Sequence, residues 1–235
     1  MKKVISFCIY GKNNKYRIGL LKNIEIINKK IPEYIIYIYG GNDINYEYEQ
    51  KLLEFNNIKY IKTKVTGHIL KCYRLFAIDD QNVDIMFSRD TDSRITDRDL
   101  YLMNEFINSN KSFHIIRDHY WHKNRILMGI CAAKKKAFDN INNLYIHWIN
   151  ESRSKIIDVD TRFGEEVLYP LIKNNVLIHS NIYGFKDEII KTINVEMIDE
   201  YDFVGNVIDF KLINNKLVEY PVFSYNEINL YRHFL

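Results

Sequence analysis

In the first ninety or so residues, short apolar runs alternate with segments whose apolar side chains recur every three or four positions. Residues 3 to 10 read as a buried strand, and 15 to 30 as a helix carrying Ile18, Leu21, Ile24 and Ile27 on one face. A second strand spans 34 to 39, after Pro32. Tyr46 to Phe55 suits a helix, Ile58 to Ile61 a strand, Leu70 to Ile78 a helix and Asp84 to Ser88 a strand. Such a β-α-β-α-β-α-β order can bury its apolar faces only in a mostly parallel central sheet flanked by helices. The fold class expected is therefore α/β. In such sheets ligands bind beyond the carboxyl ends of the strands, where Tyr10-Gly11 and Asp90-Thr91-Asp92 both fall.

The second of these points carries the chemistry. Asp84-Ile85-Met86-Phe87-Ser88 empties into Arg89-Asp90-Thr91-Asp92-Ser93-Arg94. In extended backbone, side chains at i and i+2 share a side, roughly 7 Å apart. Asp90 and Asp92 can thus converge on a hard divalent cation that also accepts phosphate oxygens, with Arg89 and Arg94 flanking the pair to share a diphosphate's charge. The alternative is a strand-end loop, with Thr96 and Asp99 forming a capping box for the next helix.

Beyond Asp92 the pattern gives a helix over 97 to 108, a strand over 113 to 117, an irregular stretch 118 to 123 and an apolar patch 126 to 133. A helix over 137 to 151, another over 162 to 173 and a strand over 176 to 179 follow. Residues after about 185 read as a tail on the same domain. The 235 residues suffice for one domain. It divides into a first part (about 1 to 95), a second part (about 96 to 185) and the tail (about 186 to 235).

A formal charge of +3 from 33 basic and 30 acidic residues, spread along the chain, gives no basic stripe and no reason to expect nucleic acid. Lys134-Lys135-Lys136 reads as a solvated turn. Cys8, Cys72 and Cys131 lack metal-ligand or disulfide spacing, and Cys8 reads as a small buried hydrophobe. The apolar start at Val4 lacks a small-residue cleavage site, and no apolar run is long enough to span a bilayer. A soluble, cytoplasmic protein is expected.

Taken together, five blocks resemble those of GT-A-fold D-x-D glycosyltransferases. More narrowly, they resemble a bacterial and giant-virus group with the signature R-D-x-D-S-R, H-x-x-R-D-H-x-x-H, G-x-x-G, D-Q-x-F-L ending in W/Y-P, and a late histidine. Here the blocks are Arg89 to Arg94, His114 to His122, Met128-Gly129-Ile130-Cys131-Ala132, Asp160-Thr161-Arg162-Phe163-Gly164 with Tyr169-Pro170, and Leu177-Ile178-His179. The chain departs from the pattern at Cys131, Ala132, Thr161 and Gly164.

The resemblance implies a metal-dependent enzyme that moves a hexosyl or related sugar from a nucleotide diphosphate sugar, a UDP-sugar above all, to a glycan or protein acceptor. Mn2+ or Mg2+ would be held by Asp90, Asp92 and His179, the alternative for His179 being a buried strand-end histidine. Tyr10 would stack on the base where Gly11 lets the chain approach, or is an ordinary strand-end aromatic. Arg94 and Arg74 would face the diphosphate, Arg74 otherwise pairing with Asp79 or Asp80. Arg117, Asp118, His119, His122 and Gly129 would contact sugar or acceptor. Asp160 would be the general base or position the sugar, its alternative being a helix N-cap. The rival readings are a degenerate nucleotide-sugar-binding module, suggested by the departures, and a Mg-dependent phosphohydrolase, a class that also places D-x-D after an apolar strand.

Overall fold

The computed structural model describes residues 1–151, 158–182, 184–214 and 216–226. Strands β1 (Lys3–Ile9), β2 (Ile35–Gly40), β3 (Ile58–Lys62), β4 (Ile85–Arg89), β5 (Phe113–Arg117), β6 (Ile130–Lys134), β7 (Val176–Ser180) and β8 (Ile190–Lys191) form one sheet in the order β3-β2-β1-β4-β6-β5-β7-β8. Every pairing is parallel except those of β6, which runs antiparallel between β4 and β5. Only the last part of the apolar patch 126 to 133 is therefore a strand. The sheet order reverses between β1 and β4, where Ser6 lies opposite Ser88, so Tyr10 and the Asp90 to Asp92 segment leave the sheet side by side.

Strand alternation sorts the core into two layers. Ile5, Phe7, Ile36, Ile38, Ile85 and Phe87 pack under α1 (Asn14–Lys30) and α3 (Asp97–Asn108). Val4, Cys8, Tyr37, Met86 and Cys131 pack on the opposite face, under a 3₁₀ segment, His68–Asp79, and the helices of the second half. All three cysteines are buried and free. Helix α2 (Tyr46–Leu53) links β2 to β3. Thr96 caps α3 by accepting from the Asp99 N–H at 3.2 Å. Asp99 does not return the bond as a capping box requires; its carboxylate takes the buried Arg89 guanidinium at 2.6 and 2.8 Å. Arg89 is thus a core ion pair, not a phosphate contact.

The helix expected from residue 162 starts earlier, as α5 (Val159–Phe163), widens into a π turn (Gly164–Leu168) and resumes as α6 (Tyr169–Ile172). Pro170 has no N–H to offer the preceding turn, which is where the regular ladder breaks. Helix α4 (Ile141–Glu151) is anchored by Asp79, which accepts its Ile141 and Asn142 N–H groups at 2.9 Å. Lys135 and Lys136 lie at the turn after β6, Lys136 with φ 77°, whereas Lys134 ends the strand and donates through Nζ to the Ile107 and Ser109 carbonyls at 3.1 and 2.5 Å. The tail adds β8 to the sheet edge and a separate antiparallel hairpin, β9 (Ile208–Ile213) and β10 (Lys216–Pro221). Its last part, 227–235, lies outside the described residues. No described helix is long and apolar enough to cross a membrane.

The R-D-H-x-x-H block is architecture rather than a sugar-contacting loop. Arg117 spans Glu188 with two bonds of 2.7 and 2.8 Å, both side chains buried. Asp118 takes a two-point bond from Arg98 at 2.6 and 2.7 Å and accepts the Val204 N–H at 3.0 Å. His122 accepts the Asp118 N–H through Nδ1 at 3.0 Å, and His119 stacks on Phe203 with centroids 4.1 Å apart. Together these clamp residues 185–205 onto the sheet. His179 is likewise consumed in the interior: Nδ1 meets His114 Nε2 and Nε2 meets Glu105 Oε2, both at 2.7 Å. The structure does not bring it to Asp90 and Asp92.

Burial, aided by neighbouring His119, pushes His122 down from 6.5 to about 3. Burial and the partner ring likewise hold His114 well below the usual histidine range. A histidine depressed on folding binds its proton more readily when unfolded, so its contribution to stability is present above pH 6.5 and is lost as the pH falls toward 3. The urea midpoint should therefore fall as the pH drops below about 6.5. His122→Asn, which keeps an acceptor for the Asp118 N–H, should flatten that slope by up to one proton. An identical pH dependence in wild type and variant would contradict this account.

Candidate active site

At the carboxyl ends of β1 and β4 lies a cavity of about 240 Å³ lined by Tyr10, Tyr16, Lys71, Arg74, Asp90, Thr91, Asp92 and Asp160, with Cys8, Ile9 and Val207 completing the wall. It draws on the first half of the chain, on α5 and on the segment before β9. Five residues singled out from sequence meet here: Tyr10, Arg74, Asp90, Asp92 and Asp160.

Strand β4 delivers the carboxylates. Its residues alternate between layers, so Asp90 follows Met86 and Ser88 toward the 3₁₀ segment. Beyond Arg89 the backbone is not extended as the sequence suggested; it turns. The buried Asn23 amide on α1 donates to the Ser93 carbonyl at 2.8 Å, and Ser93 Oγ donates to the Asp90 carbonyl at 3.2 Å. Gly19 is what lets α1 approach: a Cβ there would sit 2.1 Å from the Thr91 oxygen.

The 3₁₀ segment supplies the positive charge. Side chains at i and i+3 eclipse in a 3₁₀ helix, so His68, Lys71 and Arg74 share one edge. Arg74, 2% exposed, reaches Asp90 through Nη1 and Asp160 Oδ2 through Nη2 at 3.4 Å. Lys71 Nζ is 3.6 Å from Asp160 Oδ1. The His68 ring meets Tyr10 edge-on at 6.2 Å. Arg74 does not pair with Asp79, which caps α4, nor with Asp80, which binds Lys59 and Tyr37 at 2.7 and 2.8 Å. Burial works against the Arg74 charge, but its anionic neighbours, Asp90 foremost, outweigh it and raise its pKa.

Asp92 is held by Lys15 at 3.4 Å. Its carboxyl is raised above the ordinary carboxylate range, first by burial and then by the charge of Asp90, with Lys15 opposing. Tyr16 is raised by burial and by Asp92, Asp90 and Asp209, which puts Asp209 of β9 in the same field. Asp160 lies in the first turn of α5 and makes no capping bond; the N-cap is Asp158, in left-handed backbone at φ 55°. The N-cap alternative for Asp160 is therefore not what the structure shows.

Gly129 makes room for Asp90. A Cβ at Gly129 would stand 1.6 Å from Asp90 Oδ2, and its carbonyl accepts the Asp90 N–H at 3.2 Å. Gly11 takes φ +78°, with its N–H on Asp43 Oδ2 at 2.8 Å. Arg94 points away from the cavity, to Glu219 at 2.8 Å and to the carbonyl of Ser93. Arg117, Asp118, His119, His122 and His179 are likewise not among the lining residues. Lys15, Tyr16, Lys71 and Asp209 were missed. Lys71 had a signal: it precedes Arg74 by three residues. Lys15, Tyr16 and Asp209 had none.

Hard oxygen donors one residue apart, repelling each other and partly desolvated, fit a divalent cation whose remaining ligands come from phosphate and water. Among the described residues no third His, Cys, Asp or Glu completes a metal-binding group with them.

No family model and no curated protein matches the sequence. Solved structures do match, and they define the class by fold: the sheet order and its antiparallel β6 belong to the GT-A fold. A glycosyltransferase involved in glycosylation of the major capsid of PBCV-1 aligns over 77% of this chain and 82% of its own, with TM-score 0.53 and 14% identity. The galactosyltransferase LgtC, in complex with donor and acceptor sugar analogs, aligns over 78% and 75%, with TM-score 0.52 and 13% identity. The mannosyltransferase PcManGT of Pyrobaculum calidifontis, in complex with GDP-Man and Mn2+, aligns over 81% and 56%, with TM-score 0.51 and 7% identity.

Because the Asp90 carboxylate fills the space a side chain at 129 would need, Gly129→Ala should displace Asp90 and cost about 1–3 kcal/mol of stability, as overpacking does. A melting curve of the variant beside the wild type checks this; an unchanged thermal midpoint would refute the packing argument.

Proposed function

We propose that the chain is a glycosyltransferase that moves a sugar from a nucleotide diphosphate sugar to a glycan or protein acceptor. The observation that carries this reading is the meeting of Asp90, Asp92 and Asp160 with Lys71 and Arg74 in one cavity at the switch point of a GT-A sheet. The likeness to LgtC with sugar analogs and to PcManGT with GDP-Man and Mn2+ supports it.

In this reading Asp90 and Asp92 would hold Mg2+ or Mn2+, and the bound cation would supply Lewis-acid neutralisation of the leaving diphosphate. Lys71 and Arg74 add fixed positive charge on the wall facing the diphosphate, where charge develops as the sugar–phosphate bond lengthens. The Tyr10 ring, at the carboxyl end of β1 beside Gly11, offers a face for the nucleotide base, for which uridine is the first to test. Asp160, on the other side of Arg74 from Asp90, either takes the proton of the acceptor hydroxyl as general base or fixes the sugar. Its carboxylate stands 3.6 Å from the Lys71 ammonium and 3.4 Å from the Arg74 guanidinium. The roles first suggested for Arg94, Arg117, Asp118, His119, His122 and His179 do not enter, since their side chains are engaged elsewhere.

Asp92→Ala should abolish metal-stimulated release of UDP from a UDP-sugar while the protein stays folded, because the side chain lies at a cavity wall. Asp160→Asn should cut turnover a hundredfold or more and leave donor and metal affinity intact. Donor binding without release of free nucleotide in the wild type would identify a binding module, release of inorganic phosphate a phosphohydrolase, and near-normal turnover of Asp160→Asn would remove Asp160 from the chemistry.

A further inference from the structure

The β9-β10 hairpin follows Val207 of the cavity wall and is apolar at its tip on both faces. Leu212 pairs directly with Leu217, and these two point to one side. Ile213 and Val218 point to the other, opposite Lys216 and Lys211. The four apolar side chains are 68%, 60%, 42% and 38% exposed in that order. A hairpin that served only to cover the core would be apolar on one face and polar on the other. At its base the alternation does serve the domain: Glu219 binds Arg94 at 2.8 Å, Arg94 lies over the Phe210 ring, and the Ile208 N–H donates to the Asp92 carbonyl at 2.6 Å. The tip therefore has an apolar surface that the described residues leave uncovered.

We propose that this tip docks the protein on an anionic lipid surface. The charge around it selects that partner. Lys211 and Lys216 flank the apolar side chains and pair with no carboxylate among the described residues, the Lys211 ammonium lying 5.2 Å from the Tyr220 ring centre, whereas the acids of the same hairpin, Asp209 and Glu219, are engaged by Lys15 and Arg94. The tip thus presents two cations around an apolar point, the arrangement that seats apolar side chains at the acyl boundary with lysines at the phosphates. A second copy of the chain fits less well. Four aliphatic side chains offer on the order of 400 Å², about half of the ~800 Å² per partner of a standard interface. A two-fold axis at the tip would also set each lysine pair against its copy.

Six residues of strand reach roughly 20 Å from base to tip. Since the base is bonded to the backbone of Asp92, docking would hold the cavity at a set height above the surface. A preference for acceptors carried on that surface would follow; this consequence rests on the glycosyl-transfer reading, while the docking does not.

Flotation with vesicles of phosphatidylcholine, with and without 30% phosphatidylglycerol by design, tests the docking with no reference to turnover. Wild type should float with the anionic vesicles only, and less as salt is raised. Leu212→Ser with Leu217→Ser should reduce binding tenfold or more, and Lys211→Gln with Lys216→Gln by roughly fivefold per lysine. Melting temperature and release of UDP from a soluble donor should stay at wild-type values in both. Absence of flotation, equal flotation of wild type and variants, or a dimer by light scattering that the serine variants convert to monomers would each overturn the proposal, the last by assigning the tip to a second copy of the chain.

Discussion

A guanidinium cannot shed its proton at any pH the protein meets, and it cannot stay buried without anions. Arg74 is buried beneath the cavity, and the anions that hold it are Asp90 and Asp160. This one residue ties the end of β4, the 3₁₀ segment and α5 into a common wall. Much of the local structure serves that convergence: Gly129 makes room for Asp90, Gly19 lets α1 reach the turn after it, and Asn23 holds that turn closed. The 3₁₀ winding, with its three-residue repeat, keeps Lys71 and Arg74 on one edge.

Charge is used in two ways in this chain. In the cavity, the carboxylates of Asp90, Asp92 and Asp160 face Lys15, Lys71 and Arg74. Away from the cavity, the pairs Arg89–Asp99, Arg98–Asp118 and Arg117–Glu188 are sealed in the interior with two-point geometry. Breaking such a pair leaves an uncompensated buried charge, which costs about 3–5 kcal/mol. These pairs clamp α3, β5 and the segment after β7 together and thereby fix the platform from which the β9-β10 hairpin rises. His114 and His179 add a buried neutral pair to the same platform.

This division accounts for the fate of the motif residues. Arg89 and Arg94 stand beside the carboxylate pair in sequence, yet strand alternation sends Arg89 to the opposite layer and the turn after Asp92 sends Arg94 toward β10. The Arg117 to His122 block carries ring and acid side chains suited to sugar hydroxyls, yet each of the four expected contacts is engaged within the protein. A residue type and a place near a strand end state what chemistry is available; whether it faces a cavity depends on which partner the rest of the chain brings.

The sequence by itself determined the layered α/β fold, because strand and helix periodicities are local properties that a chain can satisfy only in a few layered ways. Boundaries of β5 and α3 were legible to the residue, and β1 and β2 nearly so. It also determined the position of Asp90 and Asp92 at a strand mouth, and it pointed to Tyr10, Arg74 and Asp160. It did not reveal that β6 runs antiparallel, that α5 begins before Asp160, or that the tail builds a strand and a hairpin. Those depend on pairings with distant segments. Only the tertiary structure decided that Arg74 joins Asp90 to Asp160 across 16 and 86 positions, that Lys15 and Asp209 enter the field of Asp92, and that His179 is spent on His114 and Glu105. An ion pair of that kind leaves no periodic trace in the chain, because its energy depends on distance and burial in the folded state and not on spacing along the sequence.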